Sequence, residues 1–255
     1  MALRSLQKWH GAGNDFLVEV SEHGTAPWWN AARAKAICER TTGVGADGLL
    51  LATVGSAVSM ALYNADGSTA EMSGNGIRCL AAAVRRATAG TWDTLDVETE
   101  AGTRTVTLKM HDESGYGSVA MGEVTFGESL PGALGVAYVG NSHVVVRDDT
   151  KWTDAMREEL AESFSIDMDG VNVEFVTVES ENHLSIKVIE RGVGWTSACG
   201  TGSCAVAAVA HREAMSGTDV TVDNPGGALH VLLDGAQATL SGPVQFVANI
   251  EWLEA

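Results

Sequence analysis

The sequence predicts a mixed α/β (α+β) chain of two pseudo-twofold-related domains. Each is a strand-rich barrel wrapped around a central helix, and the active site is expected in the interdomain cleft. Three observations carry this expectation. Two stretches share one layout: NADGSTAEMSGNGIRCLAAAV (64–84) and ERGVGWTSACGTGSCAVAAVA (190–210). Each runs from a polar loop through Ser73 or Cys199 to a Gly-x-Gly and an apolar helical run. The halves also keep register, as a duplication would: 59 residues separate Asn14 from Ser73 and 58 separate Asn141 from Cys199, with 9 from Asn64 to Ser73 and 9 from Glu190 to Cys199. Finally, residues 203–210 are apolar or small on every face, the pattern of a helix buried all round.

In chain order, LRSLQKWH and DFLVEV read as strands around the loop GAGN. Residues 28–42 show helical spacing, with Thr41-Thr42-Gly43 as the stop. Strands follow over 49–54 and 57–63, then a helix opening at Gly76 and ending near Arg86. WDTLDVETEAGTRTVTLKM reads as two strands around a Gly turn, and GYGSVAMGEVTF as one more. Residues 127–136 are the linker candidate. VAYVGNSHVVVR reads as strand, turn, strand. Residues 152–163 read as a helix with Thr153 as N-cap. VNVEFVTV and SIKVIER are strands, and a meander over 219–242 leads to PVQFVANIEWLEA. Domains are drawn as 1–120 with about 244–255, and as 121–243.

The net charge of −17 argues against nucleic-acid and anionic-membrane partners, which need a basic face. No run of about 18 apolar residues suggests a membrane span. The chain enters structure at once, without a signal-peptide pattern, and a cytoplasmic compartment is expected. The four cysteines form neither a C-x-x-C pair nor a zinc-finger cluster, so no metal is expected. Cys38, Cys79 and Cys204 lie in apolar helical patterns and read as packing residues.

Cys199 stands apart because of its glycine-rich setting. A helix N-terminus carries free N–H groups and partial positive charge, and a cysteine there is expected to have a lowered pKa. Such a helix end suits a carboxylate whose α-carbon loses a proton, because the developing charge meets preorganised donors. A group on one face removing the proton and a group on the other returning one would invert the centre without a cofactor. Glu190-Arg191 reads either as a surface ion pair or as a hold on the amino and carboxylate groups of a small-molecule substrate. His143 reads either as a core histidine or as a residue tuning the thiol. GVGADG (43–48) fits a dinucleotide fingerprint literally, but a helix precedes it and a strand follows, the reverse of what that site needs.

HGAGNDF, GVGADG, YNADGSTAEMSGNGIRC, GNSHVV, GVNVEFV, ERGVGWTSACGTGSCA and NPGG, in this order, resemble the diaminopimelate epimerases over nearly the whole chain. The resemblance implies interconversion of LL- and meso-diaminopimelate without pyridoxal phosphate, another cofactor or metal, in a possible homodimer. It implies that Asn14, Asn64, Asn141 and Asn172 bind substrate and that Glu190 and Arg191 hold its amino and carboxylate groups. Gly74, Asn75, Gly200 and Thr201 would offer backbone donors, and His143 and Glu190 would tune the catalytic pair. The family's first catalytic cysteine falls on Ser73, its second on Cys199. Cys79, inside the helix, cannot replace the first. Some members carry glutamine where this chain has Gly48. A serine is a poor base unless another group takes its proton. Three accounts therefore stay open: a Ser/Cys epimerase, a cysteine-to-serine form that binds without turnover, and a racemase or isomerase of the wider superfamily acting on another amino acid. Arg191 with Asn64, Asn141 and Asn172 argues for a substrate with a second amino-acid head.

Overall fold

A computed structural model describes residues 3–22, 28–168 and 170–253. The chain divides into two compact units, Met1–Val119 with Gly242–Ala255, and Ala120–Ser241. The first contains β1 (Leu3–Gly11), β2 (Asn14–Glu22), α1 (Ala31–Cys38), β3 (Gly48–Val54), β4 (Val58–Asn64), α2 (Gly74–Ala87), β5 (Thr94–Thr99), β6 (Gly102–His111) and most of β7 (Ser114–Glu123). The second contains β8 (Thr125–Phe126), β9 (Gly135–Tyr138), β10 (Ser142–Arg147), α3 (Asp154–Met168), β11 (Asn172–Ser180), β12 (His183–Glu190), β13 (Gly194–Thr196), α4 (Gly200–Arg212), β14 (Asp219–Asn224) and β15 (Gly227–Asp234). The last strand, β16 (Gln237–Leu253), starts in the second unit and from Gly242 belongs to the first.

In the first unit the strands follow the order β1-β2-β3-β4-β5-β6-β7-β16, and β16 also pairs with β1, so the ring closes. Within it α2 lies against β1, β2, β3, β5 and β6. Residues 74–84 of α2 are all buried, and Ile77, Leu80 and Val84 are at most 2% exposed. Full burial of such side chains contributes about 1.5–3 kcal/mol each. That exceeds the roughly 1 kcal/mol by which a helical glycine falls below alanine, so Gly74 and Gly76 are tolerated. Helix α1 packs on the other face of the strands through Ala34, Ile37 and Cys38 against Leu6, Leu17 and Leu49.

The second unit repeats the plan. Its strands run β16-β15-β14-β12-β11-β10-β9-β8, with β13 paired to β12. Helix α4 lies against β9, β10, β11, β12, β14 and β15. Its alanines keep the helix thin enough to be enclosed, and Ser203–Ala210 are buried throughout, as its composition predicts. Helix α3 packs outside through Ala161 and Phe164. The crossovers correspond: β2 to β3 and β10 to β11 are parallel, as are β4 to β5 and β12 to β14.

Four element boundaries differ from expectation. α1 ends at Cys38, because Glu39 turns extended and the chain folds back, Val44 and Gly45 donating N–H bonds to Ile37 O. A Cβ on Gly43 would lie 2.3 Å from Ala36 O, so this fold-back needs glycine there. α3 runs on to Met168: Phe164 continues its apolar face, and no glycine ends it before Gly170 (φ +86°). Residues 114–126 form two strands, and residues 237–253 form one strand across Pro243. Pro243 falls between Ser241, the last residue paired to β15, and Gln245, the first paired to β1, where its missing N–H interrupts neither ladder.

The three packing cysteines are buried. Burial pushes the Cys38 thiol, aided by Asp15 and Asp47, and the Cys79 thiol each up to about 12. A thiol ionises near 8.5 in an unfolded chain. The folded pKa is the higher one, so the native state keeps its full stability below about 8.5 and loses it as pH climbs toward the folded value. Urea unfolding should therefore show a midpoint falling between about pH 8.5 and 11, and a smaller fall in Cys38→Ala/Cys79→Ala. An equal fall in that variant would remove the thiols as its cause.

Candidate active site

The two candidate catalytic residues each stand at the N-terminus of a central helix. In α2 the N-cap is Ser73 (φ −136°, ψ 125°), whose Oγ accepts the Gly76 N–H at 3.0 Å. In α4 it is Cys199 (φ −120°, ψ 114°), whose Sγ accepts the Gly202 N–H at 3.3 Å. Serine and cysteine thus hold one conformation at equivalent places. Helix geometry leaves the first N–H groups without intrahelical acceptors, which makes Gly74 and Asn75, and Gly200 and Thr201, the available donors.

Next to Ser73, at the start of α2, Asn75 meets Asn14. Asn75 Nδ2 donates to Asn14 Oδ1 at 3.2 Å, and Asn14 Nδ2 donates to Asp47 Oδ2 at 2.8 Å. Arg78, fully buried one turn along, donates to Gly74 O and Asn75 Oδ1 and so fixes the amide. Arg40 bridges Asp15 and Asp47, both at 2.7 Å. Burial alone would raise the Asp15 carboxyl, but hydrogen bonds from Arg40 and Lys8 hold it below the usual carboxylate range. Asn64, at the end of β4, donates to Ser68 Oγ at 3.0 Å rather than to the other asparagines. Gly48 pairs with Asn64 across β3 and β4, and a Cβ there would meet Tyr63 O at 2.9 Å, so a larger residue needs the strands to shift.

The second unit gathers a more acidic set around Cys199. His143, fully buried, places Nδ1 2.7 Å from Glu174 Oε1 and Nε2 2.7 Å from Asn141 Oδ1. Ligating atoms of His143, Glu174 and Cys199 lie within 4.8 Å of one another. This trio comes from three separate segments, so spacing in the sequence could not reveal it, although its residue types suit a metal. Asn172 pairs with His143 across the strands, donates to Ser142 O and accepts the Arg191 N–H at 3.0 Å. The Arg191 side chain is exposed, whereas Glu190 is half-buried and accepts from Thr196 Oγ1 at 2.6 Å. Thr201 Oγ1 lies 3.5 Å from Cys199 Sγ.

The expected low pKa of Cys199 is overturned. Burial comes first, then the charges of Glu190 and Glu174, and together they raise the thiol well above its ordinary value. The Thr201 hydroxyl and the Gly202 N–H lower it but do not prevail. The reasoning from the helix end was sound in sign; the desolvation of a 5% exposed side chain outweighs it.

Three further residues escaped the sequence reading. Asn224 Oδ1 accepts the Cys199 N–H at 3.1 Å, and its Nδ2 donates to Ser203 Oγ and Val222 O, tying the cysteine loop to β14. Asp47 anchors Asn14. Glu174 is the buried partner of His143. Asn224 and Glu174 lie inside motifs already singled out, NPGG and GVNVEFV, where an acid or amide on a buried strand was the available signal. Among the described residues no helix is long and apolar enough to cross a membrane.

A family model described as diaminopimelate epimerase matches residues 6–127 and 135–247. A relative named diaminopimelate epimerase from Xanthomonas axonopodis pv. citri is 34% identical, covering 96% of this chain and 95% of its own. One of the same name from Desulforudis audaxviator is 34% identical over 97% and 99%. Among solved structures, a predicted epimerase from Pseudomonas aeruginosa superposes with TM-score 0.79 at 12% identity, covering 99% of this chain and 100% of that one. A hydroxyproline epimerase from Agrobacterium vitis does so with TM-score 0.74 at 15% identity, covering 99% and 91%. These two distant likenesses establish the fold. The family match and the relatives, taken over the length of both units, establish more: the chain belongs to the diaminopimelate epimerase family.

Proposed function

We propose that this protein epimerises LL-diaminopimelate to meso-diaminopimelate without a cofactor. The observation that carries the reading is the pair of glycine-opened helices with Ser73 and Cys199 in one N-cap conformation, in a chain aligned end to end with relatives of that name. Cys199 takes the α-proton on one face. The carbanion charge spreads onto the adjacent carboxylate, where the N–H groups of Gly74, Asn75, Gly200 and Thr201 stabilise it. Ser73, relaying through water, serves the other face. Asn14, Asn64, Asn141 and Asn172 hold the polar groups of the substrate. Glu190 takes an amino group, and Arg191, with its exposed guanidinium, takes a carboxylate. His143 and Glu190 set the protonation of the thiol. The same reading makes the enzyme cytoplasmic, independent of pyridoxal phosphate and homodimeric. Four buried cysteines, none in a disulfide among the described residues, suit a reducing compartment.

The test of substrate class is Arg191→Ala. A hydrogen bond to a charged group is worth about 1.5–3 kcal/mol, so KM for diaminopimelate should rise roughly 10- to 100-fold. Inhibition by a monocarboxylic amino acid should weaken far less. Equal weakening of both ligands would remove Arg191 from the distal head and favour another amino acid as substrate.

A further inference from the structure

Arg78 lies fully buried in the second turn of α2, and its guanidinium stays charged at any working pH. The duplication shows that packing alone does not call for a cation there. Arg78 stands five residues after Ser73 and Cys204 five after Cys199, and Cys204 fills its place in α4 as a fully buried thiol. The first unit makes room for the longer side chain. A Cβ on Gly117 would lie 3.0 Å from Arg78 Cδ, and one on Gly11 would lie 3.4 Å from Nη2. A buried charge costs free energy unless it is well bonded. Two bonds of this one return to the start of the helix: Nη1 donates to Gly74 O at 2.9 Å and Nη2 to Asn75 Oδ1 at 2.8 Å. From Asn75 the donors run on in one direction, Asn75 Nδ2 to Asn14 Oδ1 and Asn14 Nδ2 to Asp47 Oδ2. A cation at one end and a carboxylate at the other oppose a flip of either amide.

Gly74 C=O and Asn75 N–H are the two ends of one peptide group. A guanidinium on the carbonyl draws electrons toward the oxygen, and the N–H at the other end becomes a stronger donor, as happens when hydrogen bonds stand in series. In α4 the comparable bond is neutral and falls one peptide earlier: Ser203 Oγ donates to Cys199 O at 2.8 Å, on the group that carries the Gly200 N–H. We propose, resting on the epimerase reading above, that Arg78 is a positioning residue that aims and strengthens the Asn75 N–H as a donor to the reacting carboxylate. Charge on that carboxylate grows as the α-proton leaves. A stronger donor therefore stabilises the transition state more than the bound substrate. No proton passes through Arg78, whose guanidinium keeps its charge throughout.

The test uses the full chain. In Arg78→Met, which keeps the stem and removes the charge, kcat should fall on the order of 10- to 100-fold while KM stays within about threefold. α-Proton exchange from the two isomers should fall alike, because both directions pass through one carbanion. Arg78→Lys keeps the charge but lacks the planar fork that reaches both acceptors, and it should recover part of the loss. Arg78→Gln keeps a neutral donor, should recover less than lysine, and carries the test if the methionine variant does not fold. In a ¹H–¹⁵N spectrum recorded without substrate, the Asn75 amide proton should move upfield in the uncharged variants, with the Gly200 and Thr201 signals in place. Wild-type kcat in a folded, uncharged variant, a loss confined to one isomer, or a loss carried wholly by KM would overturn the proposal. An unmoved Asn75 signal would overturn it whatever the substrate, so its failure is distinct from failure of the epimerase reading.

Discussion

Replacing Cys199 by alanine is expected to lower epimerisation by roughly 10²- to 10⁴-fold, the span that a positioned proton-transfer group contributes. The helix end, its N–H donors and the Asn224 bond to the Cys199 backbone do not depend on the thiol, so substrate affinity should change far less than kcat. The pH dependence follows from the same surroundings. Burial, then Glu190, then Glu174 hold the thiol above its ordinary range, and the free enzyme carries a thiol at neutral pH. The reactive thiolate fraction therefore grows as pH rises, and kcat/KM should climb from about pH 6 to pH 9 without levelling, since even an ordinary thiol titrates near 8.5. A plateau reached below about pH 7 would contradict this electrostatic account, and Cys199→Ala with wild-type turnover would remove the residue from the mechanism.

Ser73→Cys should act in the opposite direction. Among the described residues the Ser73 hydroxyl makes no hydrogen bond to an imidazole, amine or carboxylate; it caps α2 by accepting from Gly76. An alcohol so placed is a far weaker acid than a thiol and has no neighbouring base to relieve it of its proton. In the proposed mechanism return of a proton on this face is the slow step, and a thiol there should raise kcat by about 10²-fold or more. The fold accepts the change, because Cys199 already caps α4 in the same backbone conformation at only a slightly longer distance, 3.3 Å against 3.0 Å. No gain in the cysteine variant would mean that Ser73 only caps its helix and that another group serves the second face.

The repeat was legible in the sequence because its markers are local. A polar N-cap, a Gly-x-Gly and a small apolar helix each occupy consecutive residues, and their spacing recurs. The enclosure of α4 followed from composition alone, since residues 203–210 have no polar face to turn outward. Charge around the thiol was not legible. His143, Glu174 and Cys199 are brought together by strand register and by the crossover through α4, and their desolvation depends on what covers them. Reading Cys199 as a helix-end cysteine therefore gave the wrong direction for its pKa. The boundaries of α1 and α3 failed for a similar reason, since the fold-back of residues 39–45 and the burial of Phe164 are tertiary events. Asn64 and Arg191 lie at the ends of β4 and β12, where the motifs put them, but what they bind depends on substrate.

The most direct measurement is proton NMR of the purified protein in D₂O with LL-diaminopimelate, following α-deuteration and formation of the meso isomer together. The account predicts meso product carrying deuterium at the inverted carbon. Neither exchange nor product from diaminopimelate, with exchange seen in another amino acid, would contradict it.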